Sequence, residues 1–273
     1  MALGFRQNFV TLMKGNSMLN LPTPKLGEIT AITITSPDLE QSFIYWQQLG
    51  FKEVMRSDFP FPWIQVSDGA LLIMLRKDDT PYIALTYYVK DIDKVVADVE
   101  SNGIAFIQKP KASDFVKRYL FRSPDGLNIS LVNIMDGFAQ PPGPTMLTMP
   151  QTDYFNPEKY VNQVCGMFGE LAMPVADLEQ SLAFWKKLGF NELSKMTAPY
   201  PWAIASDGLS IVGLHQTKHF TEPTITFFAA DMKGKIERLK ANGLTGFTEK
   251  TGSTNIVLTT PEKQQVNLFS LGM

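Results

Sequence analysis

The sequence predicts an α+β fold built as two tandem modules, each made of two units that read strand, helix and three strands. Three observations carry this expectation. The stretch Asp38-Leu-Glu-Gln-Ser-Phe-Ile-Tyr-Trp-Gln-Gln-Leu-Gly-Phe51 recurs as Asp177-Leu-Glu-Gln-Ser-Leu-Ala-Phe-Trp-Lys-Lys-Leu-Gly-Phe190. A long-period repeat of this kind fixes architecture before any local signal is weighed. Each copy follows one strand-like run and precedes another, and landmarks downstream keep nearly the same offset: Trp63 with Trp202, Asp91 with Asp231, Pro124 with Pro261. The boundaries implied are an extension over 1–25, a first module over 26–135, a linker over 136–164 and a second module over 165–273.

Residues 28–35 alternate, with Ile32 and Ile34 on one face and Ala31, Thr33 and Thr35 on the other, the period of a half-buried strand. Ser36 or Asp38 then caps a helix whose Leu39, Phe43 and Trp46 form one apolar stripe. Gly50 closes it in the left-handed position common after a helix. Strands follow near 51–57, 61–67 and 70–76, the last two joined by Asp68-Gly69, a hairpin turn signal. The second unit repeats the order: a strand over 82–89, a helix over 91–102 closed by Gly103, then strands near 104–108, 116–122 and 127–133, with the turn Ser123-Pro-Asp-Gly126. The run from Asp136 to Pro144 is too rich in Pro and Gly to continue a strand, and Tyr154, Phe155 and Tyr160 suit a linker that packs. The second module reads as strand 168–175, helix 177–187, strands near 190–196, 201–206 and 209–215, strand 223–229, helix 231–242, and strands near 254–259 and 265–271.

Bulk properties narrow the function. The 273 residues are 44% hydrophobic and 19% charged, with a formal net charge of -2, an ordinary globular balance. No dense Lys/Arg run supplies the basic surface that nucleic acid or an anionic membrane needs. No run of 18 apolar residues spans a bilayer. Cys165 is the only cysteine, which precludes an intrachain disulfide, suits a reducing cytoplasmic compartment and reads as a small buried hydrophobe. Residues 1–25 scatter Arg6, Lys14 and Lys25 among apolar positions and lack the unbroken apolar segment of a secretory signal; Met18 is a second candidate start.

With these motifs in view, the chain resembles the vicinal oxygen chelate superfamily, which includes glyoxalase I, bleomycin-resistance proteins and extradiol dioxygenases. The matching residues are Asp38-Leu-Glu-Gln-Ser, Trp46, Leu49-Gly-Phe51, the helix from Asp91 to Gly103 and Ser123-Pro-Asp-Gly126, then Asp177-Leu-Glu-Gln-Ser, Trp185, Leu188-Gly-Phe190 and Thr260-Pro-Glu262. The resemblance covers about 26–135 and 165–273. It implies that paired units curl into an open cleft, with helices outside and ligand on the concave face.

The resemblance also implies where a divalent metal would be held. The first ligand position, seven residues before the Asp-Leu-Glu motif, is Ala31 in one module and Glu170 in the other. The second is Ala84 and Thr224, and the last is Ser130 and Asn267. Alanine offers no donor and neutral hydroxyls or amides anchor a metal poorly, so no metal cofactor is expected. Glu170 is the one catalytic candidate, read first as a lone polar or ligand-contacting group. His215 and His219 flank Gln216-Thr-Lys218, a composition that places them in solvent. No nucleotide-binding glycine pattern and no nucleophile–histidine constellation is present.

Strand alternation places Ala31, Thr33, Ala84, Thr86, Tyr88, Asn128 and Ser130 on the first concave face, with Trp63 and Gln65 beside them. The second carries Glu170, Ala172, Thr224, Thr226, Phe228, Gln265 and Asn267, with Trp202. Small polar residues among a few aromatics describe a cavity lining rather than a core. Thr33, Trp63, Gln65, Thr86, Tyr88, Ser130, Glu170, Trp202, Thr226, Phe228 and Asn267 are therefore the candidate ligand-binding residues. The paired segments Phe59-Pro-Phe-Pro-Trp63 and Ala198-Pro-Tyr-Pro-Trp202 suit either an aromatic cleft rim or a cover for a sheet edge. The leading expectation is a metal-independent, non-catalytic protein that binds a small hydrophobic or aromatic molecule. Two others stand beside it: a glyoxalase-type lyase or isomerase using Glu170, and an interaction protein whose clefts are filled by its own linker. Monomer and homodimer are both open.

Overall fold

A computed structural model describes residues 21–249 and 255–271 of the chain; Arg6, Lys14 and Met18 lie outside the described residues. The first module forms a mixed sheet from β1 (Ile29–Ser36), β2 (Lys52–Ser57), β3 (Trp63–Ser67), β4 (Leu72–Lys77), β5 (Ile83–Val89), β6 (Arg118–Arg122) and β7 (Asn128–Asn133), in the order β2-β3-β4-β1-β5-β7-β6. Its two units meet where β1 pairs antiparallel with β5, while β1–β4 and β5–β7 are parallel. The second module repeats this with β8 (Met167–Pro174), β9 (Asn191–Met196), β10 (Trp202–Ser206), β11 (Ile211–His215), β12 (Thr224–Ala229), β13 (Thr248–Glu249), β14 (Ile256–Thr259) and β15 (Gln265–Ser270), in the order β13-β14-β15-β12-β8-β11-β10-β9. The strand expected near 104–108 is reduced to a single bridge between Gln108 and Leu120. Its counterpart in the second module is only the two-residue β13.

Four helices, α1 (Leu39–Gln48), α2 (Ile92–Ser101), α3 (Leu178–Lys187) and α4 (Met232–Ala241), are each introduced by an aspartate. The carboxylates of Asp38, Asp91, Asp177 and Asp231 accept from first-turn amides that lack a partner within the helix. After α1 and α3 the chain reverses through Gly50 (φ 89°) and Gly189 (φ 92°), a left-handed conformation glycine adopts freely. Trp46 and Trp185, wholly buried, carry the apolar stripe of α1 and α3 onto the sheets.

The convex faces of both sheets share one core. Ile32, Ile34, Leu85 and Tyr87 of the first join Phe168, Leu171, Ile225 and Phe227 of the second, with Phe51 against Phe227 edge to face. The linker runs through this seam, burying Met146, Leu147, Met149, Tyr154 and Tyr160 and leading into the buried Cys165, while Phe155 stays exposed. The repeated motifs fasten it reciprocally. Ser42 of the first Asp-Leu-Glu-Gln-Ser motif donates to Glu262 in the second module's Thr-Pro-Glu turn, and Ser181 of the second copy donates to Asp125 in the first module's Pro-Asp-Gly turn. The hairpin aspartates add to this. Asp207 Oδ2 accepts from Tyr87 Oη of the other module at 2.6 Å, and Asp68 Oδ2 accepts from linker Asn162 at 3.1 Å. No helix among the described residues is long and apolar enough to cross a membrane.

Candidate functional site

With both convex faces buried against each other, each concave face is left to its own module. In the first, alternation along β1, β3, β4, β5, β6 and β7 puts Thr33, Trp63, Met74, Thr86, Tyr88, Arg118 and Ser130 on one side. They line a cavity of about 670 Å³, within the size range of small-molecule sites. Trp63, Met74, Tyr88 and Val132 of its wall belong to a cluster separate from the main core, which also holds Ile29, Ala31, Leu72 and Phe138. Phe138 comes from the linker and packs 4.7 Å from the Tyr88 ring and 5.9 Å from the Trp63 ring, centroid to centroid. The linker thus packs one ring against the wall residues Trp63 and Tyr88 and leaves the cavity open.

The polar groups in the cavity are few. Thr33 and Thr86 hydroxyls bond each other at 2.7 Å across β1 and β5. Ser130 Oγ on β7 and Tyr82 Oη are both buried without a hydrogen-bond partner. Phe59, Pro60 and Phe61 line the mouth, with Phe59 and Phe61 exposed and Phe59 against Phe115. Of the two roles open to that proline-rich segment, it takes the rim. Gln65 differs from expectation: it shares the face of Met74 and Met55 but is enclosed between them, off the cavity wall, with both amide atoms unpartnered.

The second concave face keeps the same lattice of strands and changes the chemistry. Glu170 is 1% exposed and His215 2% exposed, and Glu170 Oε1 lies 3.1 Å from His215 Nε2. His215 does not stand in solvent, where the composition around it placed it, and Glu170 stands on the expected concave face but with a partner. His215 is the last residue of β11, drawn inside by stacking on Trp202 (interplanar angle 19°) and by edge contacts with Tyr200 and Phe220, whereas His219 is exposed. Glu170 is on a central strand and paired with His215, so it is not a lone polar group. Two glycines make room. A Cβ on Gly213 would stand 1.9 Å from Glu170 Oε2, and one on Gly169 would stand 2.3 Å from the Phe228 ring. Gly169 occupies the bulge where β8 slips against β12, and that extra residue turns Glu170 onto the concave face. Glu170 Oε2 and Thr226 Oγ1 are buried without a partner, Trp202 and Phe228 are buried beside them, and Asn267 is half-buried on β15.

The register tests the metal positions directly. Ala31 stands opposite Thr86, and Thr86 opposite Ser130; the matching row in the second module is Glu170, Thr226 and Asn267. The second position is therefore Thr86 and Thr226, two residues beyond the expected Ala84 and Thr224. A methyl and two hydroxyls make no metal site. Glu170 and His215 supply two donors where catalytic sites supply three or more, and no group of three His, Cys, Asp or Glu side chains converges among the described residues. These residues do not fit a chelated metal.

The sequence model of the Glyoxalase/Bleomycin resistance protein/Dioxygenase superfamily matches residues 28–131. The first module belongs to that superfamily, and the second repeats its fold. Solved structures agree on the fold across both modules. The 2,3-dioxygenase LapB from Pseudomonas sp. KL28 is 15% identical with a TM-score of 0.57, covering 94% of this chain and 94% of that one. Homoprotocatechuate 2,3-dioxygenase from Arthrobacter globiformis is 12% identical with a TM-score of 0.60, covering 93% and 82%. An extradiol ring-cleaving dioxygenase from B. fuscum is 13% identical with a TM-score of 0.58, covering 94% and 74%. No curated protein matches. Identities this low carry the superfamily's architecture and none of its chemistry.

Proposed function

We propose that the chain is a non-catalytic, metal-independent protein of this superfamily that holds a small apolar or aromatic organic molecule in the cleft of its first module. The supporting observation is the cavity itself. It has about 670 Å³ of space walled by Trp63, Met74, Tyr88 and Val132, with hydroxyls placed at its floor. A core of equal burial would be filled by aliphatic side chains at native packing density. The superfamily's metal row carries no anionic or imidazole donor in this module, so binding rests on shape, apolar contact and a few hydrogen bonds. The floor of the cleft presents the hydroxyls of Thr33, Thr86 and Ser130, none of them a group that acts as a general base near neutral pH.

The test uses N-phenyl-1-naphthylamine, a neutral aromatic fluorophore. The protein is expected to enhance its emission saturably, with chelator treatment changing nothing. Ser130→Phe fills the cleft floor and is expected to abolish the signal while circular dichroism and melting temperature show the variant folded. Binding that survives Ser130→Phe, or that vanishes with chelator, overturns the reading.

A further inference from the structure

The polar end of the same cleft has a charge pattern that a neutral ligand does not use. Arg76, the last inward residue of β4, and Arg118, the first residue of β6, both line the cavity. They approach closely enough that Arg118, after burial, is the largest influence pushing the Arg76 guanidinium below its ordinary value. Tyr82 lines the same cavity, with Arg76 over its ring. Burial raises its phenol above the ordinary value, and Arg118, Arg76 and Arg122 all pull against that rise, in that order. The hydroxyl at this focus is buried without a partner, as is that of Ser130 on the neighbouring wall. Two guanidiniums lining the cavity beside an unused buried hydroxyl are an electrostatic cost in an empty cleft and a receptor for a negative charge in a filled one.

The acids nearby do not cancel this arrangement. Asp78 Oδ2 accepts from Arg76 Nη2 at 3.1 Å, at the rim. Asp114 also lines the mouth, and its carboxylate accepts from the Lys111 amide. Arg118 donates to the neutral Gln108 and Arg122 to the neutral Asn128. Among the described residues no carboxylate lies within ion-pair distance of either. The Arg76 guanidinium lies over both the Phe61 and the Tyr82 ring, 5.5 and 5.2 Å from their centroids, and these contacts restrict its motion before a ligand arrives.

We propose that the first module's cleft selects an organic anion, an apolar or aromatic body ending in an oxyanion such as a carboxylate, with Arg118 and Arg76 gripping the oxyanion and the Tyr82 and Ser130 hydroxyls completing its hydrogen bonds. This rests on the cleft being a ligand site at all, and it adds the sign of the ligand's charge. The apolar wall of Trp63, Met74 and Tyr88 receives the body, and planar guanidinium donors suit a two-oxygen acceptor better than a single hydroxyl.

The experiment pairs two probes with the same kind of fluorophore, N-phenyl-1-naphthylamine and its sulfonate, 8-anilino-1-naphthalenesulfonate. The sulfonate is expected to bind about tenfold or more tightly than the neutral amine at low salt, and to lose that advantage as salt rises. Arg118→Gln is expected to weaken the sulfonate about tenfold and leave the amine within about twofold, Arg118→Lys to recover part of the loss, and Tyr82→Phe to weaken the sulfonate alone. Binding of both probes with no preference, or an equal loss of both in Arg118→Gln, overturns the anion assignment and leaves the cleft reading standing. Sulfonate emission that persists in Ser130→Phe comes from other surfaces and counts against both. If neither probe binds the folded wild-type protein, both readings fail.

Discussion

The two modules set the same strands around two different interiors. Position for position in the ladders, Ala31 in the first is Glu170 in the second, Met74 is Gly213, and Arg76 is His215, each of the last pair opposite a tryptophan. Where the first module has a methyl in the central row, Arg76 finds only Asp78 at the rim and its charge is offered to the cavity. Where the second has a carboxyl, His215 turns inward and the two groups meet each other. Gly213 supplies the space for that meeting, and Met74 fills the equivalent space in the first module with an apolar wall. The residue in the central row and the one on the neighbouring strand together decide whether the basic residue faces the open cavity or an internal partner.

The largest expected effect separates these two basic residues. His215→Ala leaves Glu170 buried with its Oε1 partner gone and Oε2 already unpartnered, and is expected to cost about 3–5 kcal/mol in urea unfolding. Arg76→Ala removes a rim ion pair with Asp78 and two ring contacts, and is expected to cost about 1 kcal/mol. Equal losses would show that the two positions are not the inside and outside they look to be.

Nearly all of the architecture was legible in the sequence, because long alternating strands, Asp-capped helices and Gly-closed turns state their own periods. The repeat supplied the rest: once Asp38 and Asp177 were aligned, every strand of one module located its counterpart. What could not be read was contact at long range. His215 ends a strand next to Gln216-Thr-Lys218, and only the packing of Trp202, Tyr200 and Phe220 shows that it points inward. Ser42 and Ser181 look like ordinary helix residues, and nothing in the motif says that each reaches an acid of the other module. Alternation gave Gln65 the correct face but not its depth beneath Met55 and Met74. The arginines carry a weaker signal, since they lie on strands outside the repeated motifs; Arg76, Arg118 and Arg122 each fall in phase with the inward residues of β4 and β6.

A smaller effect probes the room that the acid–base pair needs. Gly213→Ala would place its Cβ against Glu170 Oε2 and 2.8 Å from His215 Nε2. Both are buried side-chain ends, so they must part rather than swing into solvent. The expected cost is about 1–3 kcal/mol, and the His215 ring resonances in NMR should shift with it. The mirror substitution, Met74→Gly, opens the first module's wall instead. It should lower stability by cavity formation without moving those resonances. A His215 signal indifferent to Gly213→Ala would mean that the pair does not depend on that glycine.

The smallest effect lies away from the clefts, on the helices that back them. Lys235 on α4 takes the place that Val95 has on α2, yet it is 1% exposed, its ammonium donating to Gln163 O at 2.8 Å and lying over the Tyr160 ring. Burial, with Arg238 adding to it, lowers its pKa to about 8. Arg238 Nη1 also donates to Gln163 O at 2.7 Å, so that carbonyl keeps a donor when the lysine is replaced. Lys235→Met, which restores an apolar residue of similar length, is therefore expected to raise the melting temperature by about 2–4 °C at pH 7. The pH dependence gives the sign. Below pH 8 the lysine is charged in both folded and unfolded chains, and the cost of burying the charge is fully present. Between about 8 and the ordinary lysine value the folded chain has released a proton that the unfolded chain keeps, so wild-type stability rises with pH through that window. The advantage of Lys235→Met over wild type should accordingly shrink from pH 7 to pH 10. An advantage that holds constant, or grows, would show that Lys235 is solvated in the folded chain and that α4 tolerates its charge as readily as α2 would.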